Sequence, residues 1–93
     1  MKKRDHINSL RKKIDAIDAE LLKALNKRAG YVVDIGKIKL EENKEVYSPE
    51  REREIYKRLK LLNKGPLPDA AIRHIFREIM SASLSLERPL KIA

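Results

Sequence analysis

The sequence has no cysteine and no tryptophan, and only two of its 93 residues are histidines. The absence of cysteine excludes disulfides, zinc sites built on thiolates and cysteine nucleophiles. His6 and His74 lie far apart in the chain, so a metal site built on histidines is not expected.

Long apolar runs are missing as well. No run approaches the 18 or so residues that a membrane-spanning helix needs, and the N-terminal sequence MKKRDHINSL has no hydrophobic signal region. We therefore expect a soluble, cytoplasmic protein. The length allows one small domain, residues 1–93.

Acidic residues are the minority among the charges. The chain has 14 Asp and Glu against 22 Lys and Arg, a formal net charge of +8. A basic balance favours anionic partners, which include nucleic acid, acidic lipid and small polycarboxylates. Composition does not choose among these classes, so the positions of the basic residues must.

Three helical segments stand out, and no strand pattern competes with them. Apolar residues recur every three or four positions in the first segment, which predicts a helix over residues 5–42 that stops at Asn43. Further helices are predicted over residues 49–63, with Ser48 as N-cap, and over residues 69–87, with Asp69 as N-cap. The predicted fold class is all-α, with one long helix and two shorter ones.

The first helix is too long for a protein of this size. It would extend about 55 Å, whereas a compact domain of this length has a radius of gyration of about 12 Å. Two short helices from the same chain cannot cover its whole apolar stripe. We therefore expect an intertwined homodimer that packs along the long helix.

Cations interrupt the apolar stripe of the first helix. Every seventh residue from Ile7 to Ile35 is aliphatic except Arg28. Lys39 follows eleven residues later on the same helical face, about 16 Å away, so both long side chains could reach one small ligand. The alternatives are a coiled-coil register role or a snorkelling side chain for Arg28, and a helix-dipole role for Lys39. Arg11 lies about 25 Å from Arg28 along the axis, and on spacing alone it belongs to a solvated basic face.

Charged residues also flank the predicted buried face of the second helix. Arg51 and Glu52 lie one turn before Ile55, the first residue of its apolar stripe, whereas Arg53 and Glu54 point towards water. The alternative interpretation of Arg51 and Glu52 is an ion pair at the start of the helix.

The third helix has the same irregularity. Its stripe continues by fours from Ile79 to Ser83 and Glu87, and a glutamate there is either deliberate or at a frayed end. Polar groups from all three helices would then line one cavity suited to a small dianion with a hydroxyl. No motif for covalent catalysis or metal binding accompanies them, so we expect no cofactor.

Three segments resemble the all-helical, AroQ-type chorismate mutases. They are LRKKIDAIDAELLKALNKRAGYVVDIGKIK, YSPERERE and IFREIMSASLSLE, and together they cover most of the chain. The resemblance implies a homodimer of three-helix protomers with two active sites. It also implies the cofactor-free Claisen rearrangement of chorismate to prephenate, a step of phenylalanine and tyrosine biosynthesis.

The resemblance further implies roles for the cationic residues. Arg28 and the partner subunit's Arg11 would hold the two carboxylates of the substrate. Lys39 would donate a hydrogen bond to the ether oxygen, where negative charge develops as the C–O bond breaks. Clamping the compact conformer supplies orientation, and fixed cations stabilise the polarised transition state.

The remaining site residues follow from the same resemblance. Glu52 would accept a hydrogen bond from the ring hydroxyl of the substrate, with the backbone of Ser48 nearby. Arg51 would orient Glu52, and Ser83 would assist a substrate carboxylate. Many members of the family have Asp in place of Ser48, and some have Gln in place of Glu87. Only a protonated carboxyl can donate to the ether oxygen, so we predict that Glu87 acts protonated and that activity falls as the pH rises.

The tail ERPLKIA resembles the junction that follows the mutase domain in bifunctional mutase–prephenate dehydratase chains, so residues 88–93 are expected to begin a linker or a following domain. Rival interpretations are an enzyme like isochorismate-pyruvate lyase, a basic helical dimer that binds nucleic acid, and a structural dimerisation module in which Arg28 sets the register.

Overall fold

The structure is a computed structural model that describes residues 2–87, apart from the side chain of Glu87. It contains three helices, α1 (Lys3–Glu41), α2 (Pro49–Leu62) and α3 (Asp69–Glu87), and no strand within the described residues. The all-α prediction is confirmed, and the helix ends lie within two residues of the predicted ones. The expectation for residues 88–93 falls outside the described residues.

Asn43 ends α1, as predicted. Its φ of 56° is left-handed, a conformation that Asn tolerates better than most residues. The Asn43 N–H donates to the Leu40 carbonyl at 3.1 Å, and the Lys44 N–H donates to the Lys39 carbonyl at 2.8 Å. These two bonds form a Schellman motif, which satisfies carbonyls that the helix end leaves without partners.

Ser48 caps α2, again as predicted. Its φ of −130° is extended, and its Oγ accepts from the Arg51 N–H at 3.2 Å. Pro49 occupies the first helical position, where its missing N–H costs no hydrogen bond. The local sequence therefore fixes where the charged first turn of α2 begins.

The predicted N-cap of α3 is wrong. Asp69 is the first helical residue, and the carbonyl of Pro68 accepts from the N–H groups of Ala71 and Ile72. The Asp69 carboxylate instead accepts from the Asn63 Nδ2 at 2.7 Å. The Asp69 side chain, which local propensity assigned to capping, is thus hydrogen-bonded to Asn63 in the connector.

Asn63 organises the connector between α2 and α3. Its backbone N–H caps the end of α2 by donating to Leu59, and its Nδ2 also donates to the Leu67 carbonyl at 2.9 Å. Its Oδ1 accepts from the Gly65 N–H at 3.0 Å, where φ is +75° and glycine avoids a steric penalty. One half-buried amide therefore fixes the turn through three side-chain bonds.

The chain divides into two compact units, Met1–Gly30 and Tyr31–Ala93. The first unit is the N-terminal part of α1, and its aliphatic stripe is 42–55% exposed. The exposed members are Ile7, Leu10, Ile14, Ile17 and Leu21.

The second unit contains the small core. In it α2 packs against α3, and Ile55, Met80 and Ser83 are buried there, each no more than 8% exposed. Gly36 of α1 is also buried. None of the described helices is both long and apolar enough to span a bilayer.

Candidate active site

Lys39 lies in the last turn of α1, where a cation complements the negative end of the helix dipole. Its side chain does not simply extend into water. It is half-buried, and its Nζ donates to the backbone carbonyl of Val46 at 3.3 Å. The ammonium is thereby directed by the connector that follows its own helix.

The first turn of α2 holds Ser48, Arg51 and Glu52 together. The Ser48 hydroxyl is used as the N-cap acceptor, and Glu52 is half-buried at the positive end of the helix dipole. A carboxylate in this position is electrostatically favoured and only partly hydrated. It can accept a hydrogen bond from a hydroxyl of a bound ligand.

Arg51 pairs differently from what the sequence suggested. Its Nη1 lies 3.4 Å from the Glu54 Oε1, and its side chain is 56% exposed. The predicted partner was Glu52, which the described contacts do not pair with Arg51. Exposed i,i+3 ion pairs contribute little free energy, so this guanidinium can change partners when a ligand arrives.

Ser83 is the polar member of the small core. It is 7% exposed, and its Oγ donates to the Ile79 carbonyl one turn earlier at 2.8 Å. A hydroxyl has one proton to give. To donate to any other acceptor, that proton has to turn away from Ile79.

The α2–α3 hairpin brings these groups to one level. Packed helices joined by a short connector run antiparallel, so the start of α2 lies beside the end of α3. Ser48 lies 15 residues before Asn63 and Ser83 lies 14 residues after Asp69, which places each about 21–23 Å from the connector. The same end of the hairpin therefore contains Ser48, Glu52 and Ser83.

The other predicted residues are placed less completely. Arg28 is half-buried and Arg11 is exposed, and both belong to the first unit. Glu87 is the last residue of α3, and its side chain lies outside the described residues. No group of three His, Cys, Asp or Glu side chains that could hold a metal ion occurs in the described part of the chain.

A cavity of about 220 Å³ lies between α2 and α3, and none of the predicted substrate-binding residues lines it. Its walls include Leu59, Ile72 and Tyr56, and the Arg73 guanidinium lies 4.1 Å from the centroid of the Tyr56 ring. Asp69, also in its wall, bonds Asn63. The cavity lies at the connector end of the hairpin, away from Ser48 and Ser83.

Sequence reasoning missed the acceptor of Lys39. The Val46 carbonyl is a backbone group, so no residue type marks it. The one available signal was Asn43, whose left-handed conformation turns the chain back towards Lys39.

The described residues form a small all-helical protein in which Ser48, Glu52 and Ser83 share one end of the α2–α3 hairpin and Lys39 lies in the last turn of α1. Comparison with known proteins identifies the family. The model of the family described as chorismate mutase type II matches residues 10–88. The chain belongs to this family, and the resemblance noted in the sequence is confirmed.

Among curated relatives, the chain is 47% identical over 93 residues to a bifunctional chorismate mutase/prephenate dehydratase of Aquifex aeolicus, which covers 96% of this chain and 26% of that protein. It is 51% identical over 83 residues to the protein of the same name from Neisseria gonorrhoeae, covering 89% and 22% of the two chains. The chain thus spans about a quarter of the length of these relatives.

Solved structures agree with this assignment. A chorismate mutase from Thermus thermophilus matches with a TM-score of 0.87 and 41% identity, over 88% of this chain and 93% of that chain. A Helicobacter pylori chorismate mutase in complex with prephenate matches with a TM-score of 0.79 and 33% identity, over 87% and 88% of the two chains. Neither the lyase nor the nucleic-acid interpretation is favoured by these similarities.

Proposed function

We propose that this chain catalyses the rearrangement of chorismate to prephenate, as a step of aromatic amino acid biosynthesis in the cytoplasm. The observation that carries the proposal is the match to a chorismate mutase that has prephenate bound, over 87% of this chain. The positions of Lys39, Glu52 and Ser83 support it, because all three belong to the unit that contains the core.

Lys39 supplies the main electrostatic contribution in this mechanism. The C–O bond breaks while the C–C bond forms, so negative charge grows on the ether oxygen. A half-buried ammonium held by the Val46 carbonyl needs little reorganisation to stabilise that charge. Loss of one such donor typically lowers kcat by about 10²–10³-fold.

The arginines and the hydroxyl-binding groups hold the reactive conformer. Arg28 and the partner subunit's Arg11 bind the two carboxylates of the substrate, and Ser83 assists one of them. Glu52 accepts a hydrogen bond from the ring hydroxyl, close to the backbone of Ser48. Arg51 leaves Glu54 to orient Glu52. Glu87 donates to the ether oxygen in its protonated form. Holding the chair-like conformer converts a rare solution geometry into the bound one.

A homodimer is part of the same proposal. The aliphatic stripe of the first unit is about half exposed in the single chain, and burying the rest of each side chain contributes about 1 kcal/mol. A second copy offers an identical stripe, which meets the need of a symmetric interface. It would also bring Arg11 of the partner subunit to each site.

Turnover of chorismate by purified variants tests the proposal. The decrease in chorismate absorbance should be far faster with the wild-type chain than without protein. Arg28→Ala should lower kcat/KM by about 10²-fold or more, since it removes a charged partner of a substrate carboxylate.

Lys27→Ala is the matched control. Lys27 is the neighbouring cation on α1 and is exposed, so its loss should leave kcat/KM within about twofold. A wild-type rate equal to the spontaneous one, or equal losses in the two variants, would contradict the proposal.

A further inference from the structure

The segment after α1 folds back on Lys39 and makes two hydrogen bonds with it, one to its backbone carbonyl and one from its side chain. The Lys39 carbonyl accepts from the Lys44 N–H at 2.8 Å, and its Nζ donates to the Val46 carbonyl at 3.3 Å. An ammonium has three protons to donate. One is given to Val46, which leaves two for a ligand and fixes the direction in which they point.

Asn43 makes this loop possible. It is the only residue other than glycine with a positive φ in the described part of the chain. Its left-handed conformation reverses the chain within one residue, so that Lys44 returns to the carbonyl of Lys39 and Val46 comes within reach of the side chain. The location of the Val46 oxygen therefore depends on the backbone of Asn43.

We propose that Asn43 is a positioning residue for the rearrangement, acting through the Val46 carbonyl on the Lys39 ammonium. Asn43 has no role towards the substrate in this inference. Its backbone conformation maintains the chain reversal, and this reversal orients the Lys39 ammonium through the Val46 carbonyl. The inference rests on the proposed chorismate mutase activity, in which Lys39 contacts the ether oxygen.

Substitutions at Asn43 separate backbone conformation from side-chain chemistry. A β-branched residue is a steric outlier at positive φ, so Asn43→Val should shift the loop and move the Val46 oxygen. Misplacing a catalytic group by about 1 Å can cost about 10²-fold in rate. We expect kcat to fall by about tenfold or more with a smaller change in KM, because the contact matters most in the transition state.

Asn43→Gly is the rescue variant. Glycine adopts the left-handed conformation freely, so this variant should keep the wild-type kcat although it has lost the whole side chain. Lys44→Val is the matched control for introducing valine into the loop. Lys44 is exposed and its φ is not positive, so its kcat should stay within about twofold of wild type.

Two measurements complete the experiment. Chorismate turnover is followed for each variant, with and without Lys39→Ala, on samples whose circular dichroism shows matched helix content. Asn43→Val should have no further effect once Lys39 is absent, which a double-mutant cycle detects. Amide hydrogen exchange should be faster at Lys44 in Asn43→Val and unchanged in Asn43→Gly, and this readout does not depend on activity.

The outcomes are distinguishable. A wild-type kcat in Asn43→Val, or the same fold-loss with and without Lys39, would overturn the positioning role while leaving the activity in place. Absence of turnover by the wild-type chain would instead overturn the proposed function. A kcat that falls with valine, returns with glycine and is unchanged in the Lys39→Ala background would support the inference.

Discussion

Asn63 offers the sharpest test of how the α2–α3 hairpin is held. Asn63→Ala removes two donated bonds, to Leu67 and Asp69, and one accepted from Gly65. A net hydrogen bond contributes about 0.5–1.5 kcal/mol, and a bond to a charged group more. All three bonds are exposed, so we expect the low end of these values, a loss of about 2 kcal/mol in the free energy of unfolding.

Urea denaturation at a fixed protein concentration measures this loss, because the proposed homodimer would make stability depend on concentration. Asn26→Ala is the matched control. The Asn26 amide donates a single exposed bond to Leu22 at 3.2 Å, and alanine favours the helix interior. We expect that variant to change stability by no more than about 0.5 kcal/mol.

We also expect Asn63→Ala to affect the candidate site. A looser connector lets α3 slide along α2, which would change the level of Ser83 relative to Glu52. An Asn63→Ala variant as stable as Asn26→Ala would refute the reasoning, since it would show that the amide does not hold the turn.

Three further predictions concern α1 and α3. Gly30→Ala should raise the free energy of unfolding by up to about 1 kcal/mol, because a Cβ at this helical position meets no atom within 4 Å; lower stability by denaturation would argue against it. Ile14→Lys should shift sedimentation equilibrium towards monomer and reduce activity, whereas Asp15→Lys, one residue off the stripe, should not; a dimeric Ile14→Lys would refute the proposed interface. Glu87→Gln should flatten the fall in kcat with rising pH, and an unchanged fall in the variant would exclude the protonated carboxyl.

The helices could be predicted from the sequence because their signals are local. Apolar spacing, the Ser48–Pro49 start and the Asn43 stop each act within a few residues, and the structure confirms all of them. The N-cap role assigned to Asp69 was wrong because a residue outside its immediate neighbourhood decides the contact of its side chain. Asn63, six residues away, takes the Asp69 carboxylate, and a propensity for a single position does not include such a partner.

The residues of the candidate site stay a prediction, and several of their contacts differ from what the sequence suggested. Helical spacing selected Lys39 and Glu52, and the family resemblance supplied their roles. The sequence interpretation paired Arg51 with Glu52, whereas helical spacing makes Glu54, at i+3, the neighbour of Arg51, and the structure shows that pair. The Val46 acceptor was also missed, since every residue carries a backbone carbonyl.

Identifying the product formed from chorismate tests the central claim most directly. Purified protein is incubated with chorismate, and the product is followed by NMR against a sample without protein and one with Lys39→Ala. We predict that prephenate accumulates far faster than in the sample without protein, and that Lys39→Ala slows its formation by about 10²-fold or more. Formation of prephenate at the same rate with and without the wild-type chain would contradict the claim.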